Sequence, residues 1–301
     1  MSSVLSIARR VACTGVGLAV ATAVLRAQAP EVANAAVPAQ SLAYVGGIQY
    51  ATGDFVPGQR TWGVYLSNGL SWSAGRVRAT ALVPVVMQPA GGLQYFGSGM
   101  MGPTGVIGGG AGSPSGSGTG MGGGGTMTPS TGMPFSRVGI GDPIGRLDIA
   151  LRRAGDTQPQ VSVVGVVKAP LADAGRGFGT GQWDFGAGLA GAARVAGAFA
   201  FAEIVYWRIG NPPGATLRDA VSFALSIGRA MPDGRWSLLG TVSGATSPWT
   251  GFDAPIQAGL GVNYRLEAGS SVFVTVAAGL TRTAPMLSTG LGWRVPLGGT
   301  R

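Results

Sequence analysis

The amino-acid sequence predicts an all-β chain, folded as an antiparallel transmembrane up-and-down β-barrel of about twelve strands. Three observations support this. Segments of roughly ten residues alternate large apolar with small or polar side chains, the period of a strand with two unlike faces. Only 11% of the residues are charged and mean hydropathy is +0.31, against about 25% charge in an ordinary soluble domain. Past the N-terminus no apolar run reaches the about 18 residues a membrane helix needs. In lipid, that leaves a closed sheet to satisfy every backbone N–H and C=O.

The first 35 residues have the layout of a secretory leader. Arg9 and Arg10 supply the positive region, Val11–Leu25 the apolar region, and Ala33-Asn34-Ala35 a small-x-small site. Cleavage is expected after Ala35, since Ala27-Gln28-Ala29 is followed by Pro30. Cys13 is the only cysteine and falls inside this leader.

Residues 36–301 are expected to form the barrel. Ser41–Ala51 is a first, weakly patterned strand, and Thr52–Arg60 a polar loop. In Thr61–Trp72, Trp62, Val64, Leu66, Leu70 and Trp72 alternate with Gly63, Tyr65, Ser67, Gly69 and Ser71, and Asn68 falls among the apolar set. Ser73-Ala74-Gly75 turns the chain into Arg76–Met87. Pro89–Arg137, rich in Gly, Ser, Thr and Met, cannot offset its ordering entropy by burial and is expected to be a flexible Gly-rich loop. Regularity resumes with Ile144–Arg153 and continues through Val161–Lys168, a loop at Pro170–Gly181, and Gln182–Val195. In Ala198–Arg208, Glu203 shares a face with Phe199 and Phe201. Either a bulge intervenes or the Ala/Ile/Tyr face points outward. Leu217–Arg229, Arg235–Ser247, Ile256–Leu266, Ser270–Leu280 and Leu287–Val295 complete the series. Long and short connections alternate, as in barrels whose loops gather at one end and turns at the other. Trp62, Trp72, Trp183, Tyr206, Trp207, Trp236, Tyr264 and Trp293 lie near strand ends, where aromatic girdles sit.

The composition excludes several chemistries. The chain has no histidine and a formal charge of +9, carried by arginine except for Lys168. Without His, and with Cys13 in the leader, there is no His-based triad or Cys/His zinc site. No cofactor or metal is expected. The arginines are scattered singly along strands, so no nucleic-acid interface is expected. The Gly175–Gly181 run has G-x-G-x-G spacing but precedes no helix, so it lacks a phosphate cradle. No enzyme is expected.

Four segments, VGIGDPIGRLDIALRR, VVKAPLADAGRGFGTGQWDFGAGLA, FAEIVYWRIGNPPG and GLTRTAPMLSTGLGWRVPL, resemble the outer-membrane β-barrel transporter-like family named for the meta-pathway of phenol degradation. The matching features are Gly141-Asp142, Lys168 before Pro170 and Asp173, Gly179–Asp184, and Tyr206 before Gly210. The resemblance implies a cell outer membrane location and transport, with aromatic compounds as the solute class. The partners then expected are outer-membrane lipid, the outer-membrane assembly machinery and a small solute.

Charged residues are costly against lipid and cheap against a wet lumen. The residues expected to line the lumen are Arg78, Arg146, Asp148, Arg152, Lys168, Asp184, Arg194, Arg218, Asn263, Arg265 and Arg294. Bases outnumber acids in this set, which favours anions. The expected role is a channel or transporter for small anionic or aromatic solutes. The alternative is a non-conducting structural or interaction barrel that displays the Gly-rich loop.

Overall fold

The computed structural model describes residues 40–56, 59–88, 93–95, 101–103, 137–152, 159–195, 198–212, 217–248 and 251–298. The expected leader, residues 1–35, and most of the Gly-rich insert lie outside the described residues. The strands are β1 (Gln40–Val56), β2 (Gln59–Ala74), β3 (Val77–Gln88), β4 (Leu93–Tyr95), β5 (Met101–Pro103), β6 (Arg137–Ile140), β7 (Ile144–Arg152), β8 (Gln160–Lys168), β9 (Asp184–Val195), β10 (Ala198–Arg208), β11 (Ala220–Ala230), β12 (Trp236–Ala245), β13 (Ile256–Arg265), β14 (Ser271–Gly279) and β15 (Leu287–Pro296).

Each main strand pairs antiparallel with its sequence neighbours, and β1 pairs with β15, so the sheet closes. β6 and β7 run one after the other along β3 and act as one stave, which makes a twelve-strand barrel. Closure removes the free edges that would leave backbone groups unpaired in lipid. β4 and β5 pair only with each other, as a short hairpin within the Gly-rich insert. No described helix is long and apolar enough to cross a membrane.

The faces follow the sequence period. On β13, Leu260 is 68% exposed and points out, while neighbouring Gly261 is buried. Ile227, Leu189, Ile204, Leu147 and Val274 are likewise exposed on the outer face. An apolar exterior of this extent is the reverse of a soluble sandwich, which hides its apolar face. Asn68 falls on this exterior and is satisfied there by a hydrogen bond from the Tyr44 hydroxyl.

Two local readings, the Thr52–Arg60 loop and the place of Trp207, differ from the sequence expectation, and the facing of β10, left open there, is resolved. β1 and β2 pair as far as Val56 and Gln59, with a register shift between Gly53 and Val56, so paired strand occupies much of the expected Thr52–Arg60 loop. The strand ladder supplies partners for backbone groups that composition alone suggested were solvated. β10 has no bulge: it pairs without interruption on both sides, with Ile204 and Tyr206 outside and Phe199, Val205 and Trp207 buried inside. Trp207 therefore belongs to the interior, where its Nε1 donates to Ser222 Oγ at 2.9 Å, and not to a girdle. Trp236 and Tyr264 do pack together on the outside, with ring centroids 4.4 Å apart.

Glycine serves a packing role inside the barrel. Phe273 lies flat over its register partner Gly292, and Phe199 over Gly228, so that a Cβ at either glycine would overlap the ring. The rings lie along the wall and do not project across the lumen. Gly292→Val is expected to lower the unfolding midpoint in detergent, at a cost of about 1–3 kcal/mol for overpacking. Adding Phe273→Ala should recover part of the loss, and equal stability of the single and double variants would show that the ring does not depend on this contact.

Candidate functional site

The barrel interior is the candidate site, and its best-defined feature lies at the loop end. β6 and β7 are interrupted at Gly141-Asp142-Pro143, opposite Pro84 of β3. Proline has no N–H for the ladder and suits such a break. Gly141 N–H donates to Pro84 O at 2.8 Å. Three residues lie between Ile140 and Ile144 against two between Leu82 and Val85, a bulge that brings Asp142 to the inner face.

Asp142 meets Lys168 there. Lys168 Nζ lies 2.9 Å from Asp142 Oδ2 and 3.2 Å from Asp184 Oδ2, with Lys168 and Asp184 both 0% exposed. The ammonium also donates to Thr180 Oγ1 at 2.6 Å and Gln182 O at 3.3 Å. The carboxylates are held in turn by backbone donors: Ala172 N–H to Asp142 Oδ1 at 3.0 Å, Thr180 N–H to Asp142 Oδ2 at 3.3 Å, and Gly210 N–H to Asp184 Oδ1 at 3.0 Å. A buried cation is tolerable only when paired and fully hydrogen-bonded in this way. Gly179 passes so close that an added Cβ would sit 2.6 Å from the Asp142 carboxylate oxygens.

The cluster ties down segment 169–183 at the loop end, where Phe178, Gly179 and Thr180 are its buried residues. Asp173 caps a short 3-10 turn at Ala174–Arg176, and Gly177 turns the chain with φ 79°. Phe178, 5% exposed, then packs with Ala51, Tyr65 and Val86 from the inner faces of β1, β2 and β3. Its ring fills the space that a Cβ at Gly139 would enter, 2.5 Å away. Gln88 Nε2 donates to Gly177 O at 2.8 Å.

A second polar group lies deeper. Arg146 of β7 binds Asp148 through Nε and Nη2, at 2.9 Å and 2.6 Å, and reaches Glu203 of β10 at 2.8 Å. The Arg146–Glu203 pair spans β8 and β9, which lie between these strands in the sheet. Glu203 was absent from the sequence-derived set because the facing of β10 was open.

The other predicted residues are distributed over several strands. Arg78 is partly buried on β3 in register with Asp148, and Arg294 partly buried on β15 in register with Ser271 and Val45. Asn263 is partly buried between Ser237 and Phe273, and Arg265 and Arg194 are exposed near the turn end of β13 and β9. Arg152 is exposed, and a register shift after Ala150 sets it opposite Val161, on the row of the outward Val163. Arg218 is exposed just before β11, with its backbone N–H bonded to Pro248 O. No group of three or more metal-ligating side chains occurs among the described residues.

The fold is that of a transmembrane β-barrel. The chain is similar to the COG4313 outer membrane channel from Pseudomonas putida F1, with a TM-score of 0.59 and 10% identity, over 87% of this chain and 97% of that one. The translocator domain of autotransporter NalP from Neisseria meningitidis gives a TM-score of 0.37 at 12% identity, over 93% of each chain. The outer membrane protein opdK from Pseudomonas aeruginosa gives 0.34 at 8% identity, over 86% of this chain and 98% of that one. At these identities the likeness is one of fold, and only the first score supports it. No protein-family model and no curated protein matches the sequence.

Proposed function

We propose that the chain, exported with its leader removed after Ala35, resides in the cell outer membrane as a channel for small solutes that prefers anions. The observation that carries this reading is a closed barrel with an apolar exterior and arginines on its inner parity. Arg146 is compensated by Asp148 and Glu203. Arg78, Arg194, Arg265 and Arg294 gather toward the turn end, and together they would favour anions at that mouth. The aromatic solute class rests on the family resemblance, and an apolar inner cluster that includes Val164, Val166, Val205 and Trp207 suits such a ring. Insertion by the outer-membrane assembly machinery belongs to the same proposal.

A second reading, a non-conducting barrel that displays the Gly-rich insert, is favoured by the seating of Phe178 inside the mouth. Planar-bilayer recording in a KCl gradient separates the two. The expected result is a current whose reversal potential has the anion-selective sign, reduced toward zero in the Arg78→Gln, Arg294→Gln double variant. A cation-selective current would sink the anion preference, and silence in both wild type and Phe178→Ala would favour the second reading.

A further inference from the structure

The two ends of the barrel differ in charge. At the turn end the described residues include six exposed arginines, Arg76, Arg152, Arg194, Arg229, Arg235 and Arg265, against two exposed acids, Asp233 and Glu267. At the loop end four exposed arginines, Arg176, Arg208, Arg218 and Arg282, meet three exposed acids, Asp173, Asp219 and Asp253. The positive excess therefore lies at one end, and the tip of the β11–β12 hairpin shows how it is arranged.

Arg229 is the last residue of β11 on the outer face, in the row of Leu225 and Ile227, which are 55% and 64% exposed. Its register partner on β12 is the outward Leu238. Two residues nearer the turn in that row stands Trp236, packed against Tyr264. Arg235 precedes it, and Arg265 N–H donates to Arg235 O at 2.8 Å, which sets these two arginines opposite one another. Like charges in such a position repel. The acid in the turn, Asp233, directs Oδ1 to backbone donors, Arg235 N–H at 3.0 Å and Trp236 N–H at 3.3 Å. Among the described residues no ion pair joins Arg229, Arg235 or Arg265 to an acid.

These groups are badly placed for hydrocarbon and well placed for phosphate. Arginine at the end of a spanning segment reaches its charge to the head groups. Trp and Tyr settle at the same level, and a guanidinium grips phosphate oxygens in pairs. The short Met231–Arg235 turn keeps the arginines at that level, so a lipid fits them better than a partner lying beyond the membrane surface.

We infer that this tip is a head-group site for an anionic phospholipid. The phosphodiester engages Arg229 and Arg235, and the acyl chains lie along Ile227, Leu225 and Leu238. The site requires only a lipid-facing exterior, so it stands whether or not the barrel conducts.

The test counts lipids retained by the full chain in detergent, by native mass spectrometry, with phosphatidylglycerol and phosphatidylcholine of the same acyl chains as probes. Closure of every variant is verified by heat-modifiable gel migration. The wild type should retain phosphatidylglycerol at about tenfold lower concentration than phosphatidylcholine, given about fivefold for each arginine near an anionic surface. Arg229→Gln with Arg235→Gln should reduce that preference to about twofold or less. Arg208→Gln with Arg282→Gln removes the same charge from the loop end and should leave it intact. Equal retention of the two lipids by the wild type would overturn the site. So would an equal loss in both double variants, which would assign the preference to net charge. Displacement of the lipid by glycerol phosphate at equal concentration would overturn the role of the acyl chains. Failure of the channel reading would show separately, as silence in bilayer recording by a chain that still prefers phosphatidylglycerol.

Discussion

Lys168→Met is expected to destabilise the barrel by about 3–5 kcal/mol, the cost of removing one partner from a buried ion pair. The physical reason is the environment left behind. Asp142 and Asp184 would remain buried without the ammonium that both now touch, and Thr180 Oγ1 and Gln182 O would lose their donor. Urea unfolding in detergent, followed by tryptophan fluorescence, measures the effect. Adding Asp142→Asn and Asp184→Asn removes the stranded charges and should return much of the loss, though not the seat of segment 169–183. The same single variant is expected to enlarge the conductance, because that segment holds Phe178 against Ala51, Tyr65 and Val86. An unfolding midpoint unchanged by Lys168→Met would mean that the cluster is open to water and does not lock the segment.

Leu260→Arg gives the second large effect, and it tests which solvent surrounds the sheet. Leu260 lies near the middle of β13 and is 68% exposed. In water the change would be nearly neutral, as surface substitutions usually are. Against the hydrocarbon midplane an arginine costs about 2–4 kcal/mol. Leu171 supplies the control: it is 73% exposed, but in the loop-end segment between β8 and β9, beyond the strands. Leu171→Arg should leave stability in lipid vesicles within about 0.5 kcal/mol of the wild type. Equal effects at the two positions would be incompatible with a lipid-facing exterior.

Much of this architecture was legible from one-dimensional pattern. Ile256–Leu266 and Ser270–Leu280 were placed to within a residue or two of β13 and β14, and their apolar parity is the exposed one. Where the pattern was weak, the reading depended on what the strand pairs with. β1 and β2 extend into Thr52–Arg60 because each supplies the other's ladder. β10 carries aromatics on both parities, and its facing became clear only from its partners β9 and β11.

The candidate site was visible in part. Lys168 stood out as the only lysine, and Asp142, Thr180 and Asp184 fall within the segments that carried the family resemblance. Nothing in the spacing announced that they meet. Asp142 is 26 residues from Lys168, and Thr180 is 12 residues away across a loop. The bulge that turns Asp142 inward depends on Pro84, in another strand. Glu203 was missed for a similar reason, since its partner Arg146 lies 57 residues earlier.

By itself the sequence determined that the chain would form alternating strands, which side of most strands would be apolar, and that the sheet would face lipid. Those properties follow from side-chain period and composition, and both are local. Only the tertiary structure decided that one buried lysine would tie down segment 169–183 and that the aromatic rings would lie flat over glycines. Those outcomes arise from contacts across a closed sheet, where register and closure bring together residues that the chain keeps far apart.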